Sequence, residues 1–167
     1  KKQDGRLSSV ELTGKNAPER IDCKKFILCT GGKTYPGTGS TGDGYKLAGQ
    51  AGHNIVKPLP ALVALQTDSQ YLSQLEGLKL KNVSAALRIN GNVTHEEFGE
   101  LYFTDRGLDG PVVLSLSRFA AIAMGRGETC DISLDLKPAL DKEKLQQRLQ
   151  RDMDEHGKRN IKNLFKN

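Results

Sequence analysis

The sequence predicts an α+β chain in which a short α/β segment precedes a small antiparallel β-barrel with a helical insertion. Three observations predict it. A continuous apolar run, Phe26 to Cys29, ends in a glycine-rich loop; several short strand-like stretches crowd together between residues 61 and 104; and helical patterns follow from Pro111 and around Leu145.

The opening stretch alternates apolar and polar residues at Leu7, Val10 and Leu12, then turns through Gly14 to Pro18, which predicts a hairpin arm. The chain resumes at Arg20 and runs into Phe26-Ile-Leu-Cys29. A short unbroken apolar run fits a strand buried on both faces, as in a parallel sheet. From Gly31 to Gly44 there are six glycines, a proline and several small hydroxyl residues. Such a stretch forms no regular structure but lets backbone approach a ligand closely. Asp43 then caps a helix from Gly44 to Ala51, which Gly52 terminates. Lys57-Pro-Leu-Pro60 forces an extended crossing, because each proline fixes its own φ and restricts the residue before it.

Beyond that crossing come strand-like stretches at 61–66, 78–83, 85–89, 93–97 after the Asn90-Gly91 turn, and 101–104. Short strands at this spacing predict a small barrel or sandwich. Pro111 opens a helix with Val112, Val113, Leu116, Phe119, Ala120 and Ala123 at helical spacing, and Gly125 closes it. Cys130, Ile132, Leu134 and Leu136 alternate as a further strand, interrupted at Pro138. Leu145, Leu149 and Met153 mark an amphipathic helix ending at Gly157, and another helix begins near Asn160. The expected domains are 1–59, the α/β segment; 60–137, the barrel with one helix; and 138–167, the start of a helical bundle.

Composition excludes several classes. No apolar run approaches bilayer length and no basic stretch joins an apolar one near the N-terminus, so neither a membrane segment nor a signal peptide is expected. Three cysteines, Cys23, Cys29 and Cys130, form no CxxC pair and are odd in number. That supports neither a zinc site nor a disulfide framework, and points to three small buried thiols in a reducing, cytoplasmic setting. The net charge is +5, but the basic excess lies largely near the C-terminus, mixed with acids along a helical pattern, as on a solvated face. With aromatics at 5% and no Trp to stack on bases, nucleic acid is not the expected partner.

Several motifs imitate known sites. Gly37, Gly39 and Gly42 satisfy G-x-G-x-x-G, yet Pro36 precedes them, the apolar run ends at Cys29, and no acid closes a second strand at ribose-binding spacing. Gly32-Lys33-Thr34 imitates the end of a Walker A loop, but the position of its leading glycine holds Ile27. His53, His95 and His156 are scattered, with no Cys or carboxylate at ligand spacing, and read as ordinary histidines. Asp105, Arg106 and Asp109 beside Gly107 and Gly110 read as a turn and a helix cap.

Taken together, ILCTGGKTYPGTGSTGDGYKLAGQAGH, PLPALVAL and LYFTDRGLDGPVVLSLSR resemble the bacterial FAD-binding flavoprotein family that includes aminoacetone oxidase. The resemblance covers nearly the whole chain. It implies that the first segment is a partial, Rossmann-like FAD-binding segment in which Thr30, Gly31 and Gly32 end a strand and approach the cofactor. Ser40, Thr41, Gly42, Asp43 and Gly44 lie nearby in that picture. Bare glycine amides and a helix start suit a pyrophosphate or flavin, although the Asp43 carboxylate competes for those donors. The family's inserted barrel, interrupted by a helical bundle, begins after Pro60. The turn FTDRGLDGP enters a helix that packs on the barrel; the family more usually has His where Asp105 stands and Ser where Asp109 stands.

The resemblance implies an FAD-dependent oxidoreductase acting on a small-molecule substrate, with NAD(P)H or oxygen as electron partner. The chain opens at Lys1 directly into a strand pattern and contains neither the family's nucleotide-binding glycine turn nor its closing glycine-rich segment. It is therefore expected to be an internal fragment, inactive without the missing FAD-domain segments. The competing reading is a non-catalytic module whose barrel and basic helices grip a protein or nucleic acid.

Overall fold

The structure, a computed structural model, describes residues 2–3, 6–12, 14 and 19–156. The chain divides into two compact units, Lys1–Pro58 and Leu59–Asn167.

In the first unit, β1 (Lys2–Gln3) pairs antiparallel with β2 (Arg6–Leu7), and β3 (Ser9–Leu12) pairs antiparallel with β4 (Glu19–Asp22). The register sets Ser9 opposite Asp22 and Leu12 opposite Glu19. Residues 15–18 of the expected turn lie outside the described residues. The expected buried strand at Phe26–Cys29 does not form: these residues join no ladder, Ile27 is 83% exposed, and Cys29 is exposed rather than a buried thiol. An apolar run becomes a buried strand only with strands beside it and cover on both faces. Among the described residues nothing supplies that cover, and no parallel sheet is present.

The glycine loop holds one turn of 3₁₀ helix at Pro36–Thr38, where no regular structure was expected; Pro36 presets the first φ and the Gly39 amide donates back to its carbonyl at 3.0 Å. Helix α1 spans Asp43–Gln50, and its N-cap is Gly42 rather than Asp43. Gly42 has φ +84°, a conformation that costs an L side chain, while the Asp43 side chain turns to other partners. At the far end, Gly52 at φ +92° and the bonds His53 N to Ala48 O (3.0 Å) and Gly52 N to Gly49 O (2.9 Å) form a Schellman close.

The second unit contains β5 (Leu65–Gln66), α2 (Leu72–Leu75), β6 (Lys79–Ile89), β7 (Asn92–Phe103), β8 (Gly107–Asp109), α3 (Pro111–Gly125), β9 (Cys130–Asp135) and α4 (Lys142–His156). The five strands make one antiparallel sheet in the order β5-β8-β7-β6-β9. It is a curled half-barrel, with β5 and β9 as unpaired edges among the described residues. The stretches expected at 78–83 and 85–89 are one strand, as are those at 93–97 and 101–104. The long β6–β7 ribbon stays continuous because its irregularities are bulges: Asn82 takes φ +55° where the register shifts between Leu80 and Val83. At the ribbon's tip, Asn90 and Gly91 both take positive φ, +51° and +83°, as a tight hairpin turn demands.

Alternation along β6 turns Val83, Ala85 and Leu87 to one face, where they meet Leu101, Leu108 and the buried stripe Val112, Val113, Leu116 and Ala120 of α3. Leu87, Leu101 and Leu116 are each 0% exposed, and each such side chain stabilises the unit by roughly 1.5–3 kcal/mol. Pro111 at the first turn of α3 and Gly110 at φ +100° start the helix directly on the sheet. Helix α4 is capped by Asp141, whose Oδ1 accepts the Lys144 amide at 2.8 Å. The expected stop at Gly157 and the helix near Asn160 lie outside the described residues. Among the described residues, no helix is long and apolar enough to cross a membrane.

Candidate cofactor-binding loop

Two stretches of the first unit, Thr30–Gly32 and Ser40–Gly44, are brought together by main-chain geometry. The Gly42 amide donates to the Gly32 carbonyl at 3.0 Å, which lays the first stretch against the start of α1. The contact is close because side chains are missing where they would collide. A Cβ on Gly44 would run into the Thr30 hydroxyl, and one on Gly31, itself at φ +71°, would stand 3.1 Å from Ser40 Oγ. Gly32 passes the Tyr45 phenol, whose oxygen lies 3.9 Å from where its Cβ would be.

The polar groups around this cradle are Thr30, Ser40, Thr41 and Asp43. Thr41 Oγ1 donates to Asp43 Oδ2 at 2.6 Å and Lys46 Nζ donates to Asp43 Oδ1 at 2.9 Å. Hydrogen bonding from Thr41, and then from Lys46 with its charge, lowers the Asp43 pKa below its ordinary value. Asp43 thus remains an anion whose oxygens face side chains rather than the α1 amides. Its expected competition for those amides is correspondingly absent from the hydrogen bonds it makes.

Lys33, which the sequence offers only as part of a false Walker A spelling, also takes part in the cradle. Its stem lies across Gly42, with Cγ and Cδ each 3.3 Å and Cβ 3.5 Å from where a Gly42 Cβ would sit. The signal available in the sequence was its place directly after Gly32; the false Walker A spelling drew attention to the wrong chemistry.

Elsewhere in this unit a cleft of about 680 Å³ is lined by Leu7, Phe26, Leu28, Leu47, Ala51 and His53. In the second unit a cavity of about 660 Å³ opens beside β5 and β9, floored by Leu65, Leu87, Phe103, Met124, Cys130 and Ile132. Burial raises the Cys130 pKa, with Glu128 and Asp131 adding to it, so that thiol is poorly activated. The Asp105-Arg106 turn is organised by Thr104, whose hydroxyl accepts the Arg106 and Gly107 amides at 3.3 and 3.1 Å. Asp105 and Arg106 approach only to 3.6 Å with side chains 66% and 77% exposed, a pair of little energetic weight. Asp109 accepts the Gly110 amide at 2.7 Å, ahead of α3. His95 stacks on Phe119 with centroids 3.5 Å apart. Among the described residues, no group of three or more His, Cys, Asp or Glu gathers as a metal site.

Residues 59–167, which include the curled sheet and α3, match the family described as HI0933-like protein barrel and H2TH domain. The chain belongs to this HI0933-like family. Curated relatives include a 3-dehydro-bile acid delta(4,6)-reductase of Clostridium scindens, 30% identical over 141 residues, or 81% of this chain and 34% of that protein. A ribosomal RNA dihydrouridine synthase of Escherichia coli is 33% identical over 146 residues, 87% of this chain and 34% of the relative. Its counterpart from Haemophilus influenzae is 36% identical over 100 residues, 58% of this chain and 23% of the relative. The chain thus spans about a third of the length of the first two of these relatives. Those two matches are longer than the stretch 59–167 and so take in part of the first unit, where the glycine cradle lies.

Proposed function

We propose that this chain is one part of an FAD-dependent oxidoreductase, and that the cradle formed by Thr30, Gly31, Gly32, Ser40, Thr41, Gly42, Asp43 and Gly44 is one side of its flavin site. The observation that carries the reading is the interlock of two glycine-rich stretches, Gly44 under Thr30 and Gly31 against Ser40, which holds Thr30–Gly32 beside the start of α1, where helix amides suit a phosphate. In this reading Gly31, Gly32 and Gly44 let the two stretches pack closely enough to form one wall of the site. Thr30 and Ser40 offer hydroxyls to the cofactor's polyol and phosphate oxygens; Thr41, whose proton goes to Asp43, offers an acceptor oxygen, and the Asp43 carboxylate accepts from the cofactor's hydroxyls. FAD supplies hydride transfer, and NAD(P)H is the electron donor we favour. The remaining sides of the site come from the rest of a longer polypeptide, so this stretch alone is a fragment without activity. Its three free cysteines suit the reducing cytoplasm.

The names of the relatives support a substrate class. A delta(4,6)-reductase of a 3-dehydro steroid and a synthase of dihydrouridine both imply adding hydrogen across a carbon–carbon double bond conjugated to a carbonyl. Conjugation makes the distant carbon electrophilic, hydride adds there, and a proton completes the neighbouring carbon. We infer that the full-length protein performs this reduction, rather than the amine oxidation that kinship with aminoacetone oxidase would bring.

The test is purification of the full-length protein, its visible spectrum, and turnover with NAD(P)H on a 3-oxo-4,6-diene steroid, a uridine-containing RNA and aminoacetone. The reading expects a yellow protein that reduces an enone. A colourless protein that takes up no FAD refutes the cofactor; oxidation of aminoacetone alone refutes the substrate class.

A further inference from the structure

The cradle contains two lysines with different surroundings. Lys46 is committed to Asp43 at 2.9 Å, neutralising the one carboxylate of the loop. Lys33 takes part in no hydrogen bond or ion pair among the described residues, although its stem is held for three carbons against the bare Gly42 backbone. Gly42 is buried under that stem, and its φ of +84° keeps a side chain out of the space the stem occupies. A lysine ordinarily loses much rotamer freedom when its ammonium is fixed. A stem already seated has less freedom left to lose, and its ammonium is a point charge suited to phosphate oxygens.

We propose that Lys33 contacts a phosphate of the flavin cofactor and supplies the positive charge that the Asp43-bearing start of α1 does not. This rests on the reading that the cradle holds a flavin. Lys33 is then a binding residue that distinguishes phosphorylated flavins from the bare isoalloxazine and ribityl chain.

The experiment uses the full-length flavoprotein, stripped of cofactor and titrated with riboflavin, FMN and FAD by quenching of flavin fluorescence. Lys33→Gln keeps most of the stem and removes the charge; Lys33→Arg restores the charge. Loss of one charge-assisted hydrogen bond predicts that Lys33→Gln weakens FAD and FMN by about 10-fold or more, leaves riboflavin within about twofold, and is largely rescued by Lys33→Arg. In the unmodified protein, FAD affinity falls with added salt more steeply than riboflavin affinity. Equal weakening of riboflavin and FAD overturns the proposal in favour of a structural role for Lys33, and unchanged affinities for all three overturn it outright. Failure of the unmodified protein to bind any flavin overturns the cofactor reading itself, and this inference with it.

Discussion

Gly44→Ala isolates the packing of the cradle. Gly44 lies in the first turn of α1 with no positive φ, so an alanine there suits the helix and favours it by about 0.5–1 kcal/mol. Against that stands the Thr30 hydroxyl, which the new methyl would run into, with Gly31 O at 3.7 Å behind it. Threonine has one stiff rotor, so relief requires either an unfavourable χ1 or a shift of the loop, and overpacking of this kind costs about 1–3 kcal/mol. The net expectation is a loss of roughly 0–2.5 kcal/mol in local stability. In a Thr30→Ala background the hydroxyl is gone, and Gly31 O at 3.7 Å and the residue 30 Cβ at 3.8 Å remain as ordinary contacts. There the same Gly44→Ala change becomes stabilising by about 0.5–1 kcal/mol. The double-mutant cycle, read by amide hydrogen exchange across residues 43–50, therefore yields a coupling of about 1–3 kcal/mol. Equal effects of Gly44→Ala in both backgrounds would show that Thr30 does not rest on Gly44, and the cradle geometry would fall.

Other expectations follow from the second unit and the capping residues. Leu116→Ala, at a fully buried position facing the sheet, lowers unfolding stability by about 2–5 kcal/mol in urea titration, with a loss below 1 kcal/mol contradicting the core assignment. Gly110→Ala destabilises more than Gly127→Ala in thermal melts: both have positive φ, but a Cβ at Gly110 meets Glu100 O at 3.0 Å whereas nothing lies within 4 Å at Gly127. Hydrogen bonds from the Lys144 side chain, then its amide, lower the Asp141 pKa, so its support of α4 is full at neutral pH. That support fades only as pH falls from the ordinary Asp value of 3.8 through the depressed folded one, and circular dichroism of Asp141→Asn should lose this acid-dependent phase. Alkylation followed by peptide mapping should modify exposed Cys29 first and Cys130 last, with burial holding the Cys130 thiol protonated.

Helix α3 was fully legible in the sequence because every local cue agreed: Pro111 at the start, an apolar face at helical spacing, Gly125 at the end. The Asn90-Gly91 tip was legible for the same reason. The run Phe26–Cys29 was not, since apolar residues declare a wish for burial but not which strands provide it. Strand β8 escaped notice because Gly107–Asp109 is only three residues long beside a charged turn, and its pairing of Leu108 with Phe103 is visible only in three dimensions. The gap read between 83 and 85 vanished because Ser84, 6% exposed and donating to Glu96, is a polar residue satisfied within a continuous strand. In the candidate loop, glycines announced close approach, but not what approaches. That Thr30 lies over Gly44 and Lys33 over Gly42 is a matter of tertiary contact, as is the diversion of Asp43 from capping.

The strand order β5-β8-β7-β6-β9 also separates local pairings at the centre from long-range ones at the edges. The β6–β7 ribbon closes over a two-residue tip and β7–β8 over a short turn, so both are local events of the microsecond class. Pairing of β9 with β6, across α3, and of Leu65 with Leu108 both join segments far apart in sequence, so the two edge pairings are the long-range ones. The two residues of β5 make two pairs against the six of β9, the lesser hold of the two edges. They stand beside the cavity floored by Leu87 and Phe103, so the unit's least secure staves are those that border its interior.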